Sequence, residues 1–311
     1  MAPSGGPLSG MTRVRSLNRP EMRRTERSQI RVGRLQSRAM HVEVGGLTIT
    51  YERAGTGPPV ALAHGFVGDA RSTWDSQIEG LADEFTVIAW DAPGAGKSSD
   101  PPEGFGMDDY ADCLAAFLRA LRIQRAHLVG LSFGAALALA TCHRHRGFAS
   151  SLVLVSGYAG WLGSLGAEEA NRRLPRSLQA SELPPEDFVA AMVPSMFSPS
   201  AGAERMARFV DSVREFRPGG FRAMARASVE DQSHVLPEVG VPTLLLYADH
   251  DVRAPVAVGE AIQAAVRGSE LVVLTGPGHV SPVEAPDAVT RELRRFLRSV
   301  ERFPSAQPDP A

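Results

Sequence analysis

Lysine is almost absent from this chain. Of thirty-three basic residues only Lys97 is a lysine, and the arginine bias reads as coding composition rather than function. Cysteine is scarce too. Cys113 and Cys142 lie in apolar runs that read as helices, which points to buried reduced thiols rather than a disulfide or metal pair. Charge of one sign does not dominate. A net charge of −2 gives no global attraction to nucleic acid or to a membrane surface. No stretch approaches the ~20 apolar residues of a membrane span. Acids are nearly missing from the first 40 residues, where Glu21 and Glu26 stand among Arg, Ser, Gly and Pro. That segment has no sustained apolar period and cannot bury enough surface to order itself. Three readings of residues 1–40 stay open: a disordered extension, a displaced start with the true one at Met11, Met22 or Met40, or an arginine-rich targeting peptide. It lacks the apolar core of about 7–15 residues that a secretory signal needs. The cytoplasm is the expected compartment, with organellar targeting left open.

The rest of the chain is built differently. Its 311 residues, 43% hydrophobic and 22% charged, allow one large domain or two ordinary ones. His41–Val44 and Leu47–Arg53 flank Gly45-Gly46, a hairpin signal. Short apolar runs follow at Pro59–Ala63, Thr86–Trp90, Ala126–Leu131, Ser151–Ser156, Thr243–Ala248 and Glu270–Leu274. Helical periods separate them, as at Met107–Leu121, Phe133–His145, Pro255–Ala265 and Asp287–Glu301. Strands alternating with helices predict an α/β fold with a mostly parallel central sheet covered on both faces. Residues 41–157 and 235–303 form this core, and 304–311 a tail. The alternation stops over 158–234, which reads as a helical cap across the strand ends, where ligands of such sheets bind. Its large apolar side chains include Trp161 and Phe197, the expected pocket residues. It carries no run of charge, although Arg222 and Arg226 are each placed to meet a carboxylate.

Gly130-Leu131-Ser132-Phe133-Gly134 follows one apolar strand and opens a helix. A serine there sits on a tight strand-to-helix turn that only small neighbours permit, so its hydroxyl is aimed out of the sheet as a nucleophile. Serine needs a base. His279, in Gly276-Pro277-Gly278-His279, lies on the loop between the last strand and the last helix, with Pro282, Glu284 and Pro286 fixing the start of that helix. The base needs an orienting carboxylate. Asp249 and Asp251 both follow the strand Thr243–Ala248, and Asp251, four residues before Pro255, is the expected partner. The order Ser, Asp, His is the one found on α/β sheets of this kind. The oxyanion needs backbone donors, expected from Phe133 and Phe66, with His64 structural. Asp91 to Ser98 ends like a phosphate loop, but Asp91 stands where the first glycine is required. Asp91 instead reads as bonding turn amides. Cys142, His143 and His145 crowd one helix too closely for a zinc site. No metal or cofactor is called for.

Together His64-Gly65, Asp91-x-Pro93-Gly94-x-Gly96-x-Ser98, the Ser132 turn, Asp251-x-x-x-Pro255 and Gly278-His279 with Glu284 and Pro286 resemble the α/β-hydrolase superfamily over about residues 42–300. The chain looks most like its small-molecule esterases and enol-lactonases. The resemblance implies hydrolysis of an apolar carboxylic ester or lactone through an acyl-enzyme, without cofactor. Serine at 132 argues against the dehalogenases and epoxide hydrolases, which use aspartate. Val280, where ring-cleavage hydrolases often have tryptophan, weakens a carbon–carbon bond hydrolase or tailoring enzyme acting on a diketone-like substrate, the second reading. A slow-turnover ligand receptor is the third. Nothing in the sequence sets the oligomeric state.

Overall fold

Two adjacent glycines set the first turn. Gly45 and Gly46 adopt φ of +56° and +83°, the left-handed pair that a two-residue hairpin requires. They join β1 (Met40–Val44) to β2 (Leu47–Ala54), antiparallel from Met40 opposite Tyr51 to Val44 opposite Leu47. The computed structural model describes residues 39–302. The expectations for the segment before residue 39 and for the tail 304–311 lie outside the described residues.

After the hairpin, strands and helices alternate. The chain runs through β3 (Pro59–Ala63), α1 (Ala70–Leu81), β4 (Thr86–Trp90), α2 (Met107–Ala120), β5 (Ala126–Leu131), α3 (Phe133–Arg144) and β6 (Ala149–Val155). Helices α4 (Gly160–Ala180), α5 (Pro185–Met192), α6 (Ala203–Arg214) and α7 (Pro218–Ala227) then follow with no strand between them. Alternation resumes with β7 (Thr243–Ala248), α8 (Val256–Ala265), β8 (Glu270–Leu274), the one-turn α9 (Ser281–Glu284) and α10 (Pro286–Arg302). Ser156 ends β6 one residue short of the expected run, because its φ of +46° leaves the extended region. Helix α1 buries a short apolar stripe of Ala70, Trp74, Ile78 and Leu81 and starts at a defined cap. Asp69 Oδ1 accepts from the Ser72 N–H at 2.7 Å, and the Ser72 hydroxyl accepts from the Asp69 N–H at 2.9 Å, a reciprocal capping box.

The strands form one eight-stranded sheet in the order β1-β2-β4-β3-β5-β6-β7-β8. The pairs β1–β2 and β2–β4 are antiparallel, and every pair from β4 to β8 is parallel. Every residue of β4, β5 and β7 is buried, as expected where helices cover both faces. Helix α2 packs on α3, and α1 on α10. The order places the site. From β3 the chain steps outward to β4, then jumps back over β3 to β5. The carboxyl ends of β3 and β5, paired at Ala63 and Gly130, therefore flank the switch point where open sheets bind ligands.

The turn out of β5 is tight. A Cβ on Gly130 would stand 2.0 Å from the Gly134 carbonyl oxygen, and one on Gly134 would stand 2.2 Å from that of Ala63. Neither clash is relieved by rotating a side chain, since both partners are backbone. The helices between β6 and β7 have an aromatic core of their own. Phe188 stacks on Phe216 at 3.6 Å and meets Phe221 edge-on at 5.1 Å. This segment is bolted to the sheet's loops. Arg217 donates to the carbonyls of Ala95 and Ser98 at 3.1 and 2.6 Å, and the Gly220 backbone lies against Gly94.

Gly134→Ala is expected to destabilise the protein by about 3 kcal/mol or more, at or above the upper end of the usual overpacking cost. Gly219→Ala, whose Cβ meets nothing within 4 Å, should be neutral or slightly stabilising. Denaturant melts of both variants check this, and an unshifted curve for Gly134→Ala would refute the contact.

Candidate active site

Ser132 sits on the turn between β5 and α3 with φ +55° and ψ −111°, a region that non-glycine residues occupy only under constraint. Its N–H is tied to the Val155 carbonyl at 2.9 Å, and its carbonyl takes the N–H groups of Ala135 and Ala136 at 3.0 and 3.2 Å. The backbone is thus held on both sides. The neighbouring loop after β3 brings Gly65 so near that a Cβ there would lie 3.8 Å from Ser132 Cβ.

Two backbone donors expected from the sequence flank this point. Phe133 is the first residue of α3 and has no helical acceptor for its N–H. Phe66 follows Gly65. Among the described residues neither N–H is hydrogen-bonded to another protein group. His64 holds the loop in place. The Ala92 N–H donates to His64 Nε2 at 3.0 Å, so the ring proton is on Nδ1, which donates to the Gly65 carbonyl at 2.5 Å. Burial holds the His64 pKa below the usual histidine value against the pull of Asp91, so the ring stays neutral. Asp91 bonds turn amides as expected, accepting from Lys97 N–H at 3.0 Å, and also from Ala70 N–H at 2.9 Å.

His279 and Asp251 are joined. His279 Nδ1 donates to Asp251 Oδ2 at 2.8 Å, and each residue is 4% exposed. The other oxygen, Oδ1, accepts the N–H groups of Arg253 and Ala254 at 2.8 and 2.9 Å. The carboxylate therefore cannot turn away from the ring. Burial pushes the Asp251 carboxyl up, but the charge and hydrogen bond of His279, the Ala254 N–H and the nearby Ser156 side chain outweigh it and hold it below the usual carboxylate range. Asp249 has another task, accepting the Gly276 N–H at 2.8 Å. The path of the chain explains where His279 lies. It leaves β8 at Leu274, and by Pro282 its carbonyl accepts from Gln77 on α1 at 3.3 Å. That path crosses the carboxyl ends of β7, β6 and β5. Glu284 does more than fix the start of α10. Its Oε2 accepts from Gly278 N–H at 2.9 Å and Ser198 N–H at 3.0 Å, tying the histidine loop to the helical segment. Among the described residues neither Ser132 Oγ nor His279 Nε2 is hydrogen-bonded to any group, and no bond joins the two.

The expected pocket residues part company. Trp161 meets the Phe66 ring edge-on at 6.1 Å, on the side of the site. Phe197 packs edge-on to Phe209 of α6 at 5.5 Å, with its main chain against Gly278. Phe221, one of the large apolar residues of the same segment, lies 5.1 Å from the Phe66 ring. A groove of about 350 Å³ touches Phe66, Phe221 and Met224, and a cavity of about 610 Å³ lies near His143 and His234. Neither is lined by Ser132, Asp251 or His279.

The same residue types meet again at the opposite end of the strands. His127 contacts Ser151 Oγ through Nδ1 at 2.8 Å and Glu301 through Nε2 at 3.1 Å. There both ring nitrogens are occupied and Ser151 is fully buried, so this is a structural lock between the sheet and α10. The thiols are inert for a related reason, burial pushing Cys113 up to about 12 and Cys142 up to about 11.

A family profile described as the alpha/beta hydrolase fold matches residues 58–286. The chain belongs to the α/β-hydrolase family and is an enzyme of the hydrolase class. An uncharacterised protein of Mycobacterium tuberculosis is 29% identical over 86% of this chain and 80% of its own length. A thermophilic esterase from Thermogutta terrifontis, solved with malate bound, superposes with a TM-score of 0.78 at 29% identity, covering 85% of this chain and 99% of that one. The enol-lactonase from Burkholderia xenovorans LB400 shares the fold with a TM-score of 0.73 at 24% identity, over 83% of this chain and 100% of that one. Among the described residues no helix is long and apolar enough to cross a membrane.

On a chromogenic acetate ester, Asp251→Asn is expected to lower kcat by on the order of 10³–10⁴, because the histidine would take the wrong tautomer. Asp249→Asn should cost far less, its carboxylate serving a loop amide. Comparable losses in the two variants would overturn the assignment of the orienting carboxylate.

Proposed function

We propose that the protein is a serine hydrolase that cleaves a small-molecule carboxylic ester or lactone through an acyl-enzyme. Ser132 is the nucleophile, His279 the general base and Asp251 its orienting partner. The observation that carries this reading is the His279–Asp251 bond of 2.8 Å. With the proton fixed on Nδ1, Nε2 keeps a lone pair at the strand ends where the strained Ser132 turn presents its hydroxyl.

The steps follow from those positions. Ser132 Oγ attacks the carbonyl carbon while its proton passes to His279 Nε2. The negative oxygen of the tetrahedral intermediate is met by the N–H groups of Phe66 and Phe133. The imidazolium, stabilised by ionised Asp251, gives its proton to the departing alkoxide as the carbon–oxygen bond breaks. In a lactone that alkoxide remains part of the same molecule. Water then attacks the acyl group, His279 takes its proton, and collapse returns the proton to Ser132 and frees the acid. Nothing in this sequence of steps requires a cofactor.

Residues 158–234 act in this reading as the cap. Phe66, Trp161 and Phe221 form an apolar wall, suited to a medium-sized organic acyl or alkoxy group and not to bulk polymer. The similarity to an esterase at 29% identity supports the ester side of the reading.

A fluorophosphonate should label the protein at one site, and peptide mass spectrometry should place the adduct on the peptide containing Ser132. Ser132→Ala should abolish labelling and lower kcat by on the order of 10⁴-fold or more, with an unchanged melting curve. An adduct elsewhere, or a Ser132→Ala enzyme of near-normal rate, would sink the proposal.

A further inference from the structure

Arg253 follows Asp251 by two residues on the loop that leaves β7. Its main chain belongs to the site already described. Its N–H donates to Asp251 Oδ1 at 2.8 Å, and its carbonyl accepts from the Tyr158 hydroxyl and, at 3.0 Å, from Arg173. Its side chain is largely unspent. The guanidinium carbon lies 5.5 Å from the centroid of the Phe66 ring, and Nη1 donates to Ser195 Oγ at 2.8 Å. A guanidinium offers five N–H donors, so one such bond leaves most of them to other partners. Among the described residues no carboxylate forms an ion pair with it.

The neighbouring cation shows the contrast. Arg173 reaches the same carbonyl, yet its own charge is met by Glu169 at 2.7 Å. Asp251 does not serve Arg253 in this way, because both its oxygens are taken by His279 and by backbone N–H groups. Burial lowers the Arg253 pKa from the usual guanidinium range, while Tyr158 and Asp251 oppose the fall and Arg173 adds to it. Arg253 is partly buried, and a partly buried cation with no ion-paired carboxylate is poorly satisfied. The face of the Phe66 ring compensates in part. The planar fork of an arginine matches a carboxylate with two parallel bonds.

Phe66 links this cation to the chemistry. In the reading proposed above its N–H faces the oxyanion, and its ring carries the guanidinium. One residue thus joins the two, its main chain at the reacting carbonyl and its ring 5.5 Å from the guanidinium carbon. We propose that Arg253 recognises a carboxylate a few bonds from the scissile carbonyl, so that the substrate is an anionic ester or lactone with an apolar body. This inference rests on the Ser132–His279–Asp251 reading and amends the wholly apolar substrate expected from sequence. Arg222 and Arg226, the cations singled out there, are differently placed. Arg226 is exposed on α7, and Arg222 reaches Ser181 Oγ at 3.4 Å.

The test compares matched esters by pH-stat. Monomethyl adipate against methyl hexanoate places the charge in the acyl half, and 4-acetoxybutyrate against butyl acetate places it in the alkoxy half. The wild-type enzyme should favour the anionic member of at least one pair in kcat/KM by about tenfold or more. Arg253→Gln should reduce that preference by about tenfold or more, to near unity, mainly through KM, as the loss of a charged hydrogen-bonded pair implies. Arg253→Lys should restore part of it. A wild-type preference near unity in both pairs would overturn the inference. So would an Arg253→Gln enzyme that keeps the preference, or that loses both members of a pair in parallel. Fluorophosphonate labelling of Ser132 separates the two levels. A labelled enzyme indifferent to charge leaves the hydrolase reading standing and removes this one, whereas failure to label removes both.

Discussion

Backbone meets backbone where β5 turns into α3, and the rest of the site is arranged around that contact. A Cβ on Gly134 would stand 2.2 Å from the Ala63 carbonyl oxygen, so α3 starts hard against the end of β3. The chain reaches that start within one residue of β5, which leaves Ser132 at φ +55°. Parallel pairing on both sides over-determines the turn. β5 is held by β3 and β6, and the Ser132 N–H by Val155. Strain of this kind costs on the order of 1–3 kcal/mol and persists only where the surroundings enforce it. What it yields here is a hydroxyl held at the switch point of the sheet, beside the first free N–H of a helix.

The loops around Ser132 are positioned by polar bonds between segments distant in sequence. His64 bridges the Phe66 loop and the turn after β4 as a neutral ring, accepting from one and donating to the other. Asp91 braces that turn and the start of α1. Arg217 fastens the helical segment to the same turn. Glu284 fastens it to the histidine loop. Each bond satisfies a buried group whose abandonment would be costly, so the helical segment and the loops it is bonded to are held in one arrangement. The two serine–histidine–acid groups in this fold show what burial and partner choice decide. Around His127 every nitrogen is occupied and the serine is sealed. Around His279 one nitrogen is committed to Asp251 and the other is not.

Much of this was legible in the residues. The bounds of β3, β4, β5 and β7 coincide with the apolar runs, because a strand buried on both faces must be apolar along its whole length and stops where the turn residues begin; the edge strand β8 matches its run as well, though only Leu274 of it is buried. The hairpin was written in Gly45-Gly46, and the Ser132 turn in two glycines whose missing side chains make room for backbone. Helix α1 was harder to see, since its apolar stripe of Ala70, Trp74, Ile78 and Leu81 is set among polar residues, Ser72, Thr73 and Gln77, that are buried with it. The signal was present all the same, in Asp69 followed by Ser72.

What the sequence alone determined is therefore the set of elements, their alternation, and the three residue types at the strand ends, because these depend on local periodicity and on steric needs a few residues wide. What only the tertiary structure decided is which partner each side chain meets. It joined His279 to Asp251 and gave Asp249 to a loop amide, set Trp161 on Phe66 but Phe197 on Phe209, sent Glu284 back to Gly278 and across to Ser198, and left the Arg253 guanidinium on an aromatic face with no carboxylate ion-paired to it among the described residues. Asp249 and Asp251 stand two residues apart after the same strand, and the spacing to Pro255 favoured Asp251, but which carboxylate reaches His279 depends on where the two loops meet. The choice is made by the loop that leaves β8, the strand paired with β7, and a through-space hydrogen bond of that kind depends on how the strands are ordered, which periodicity along the chain does not encode.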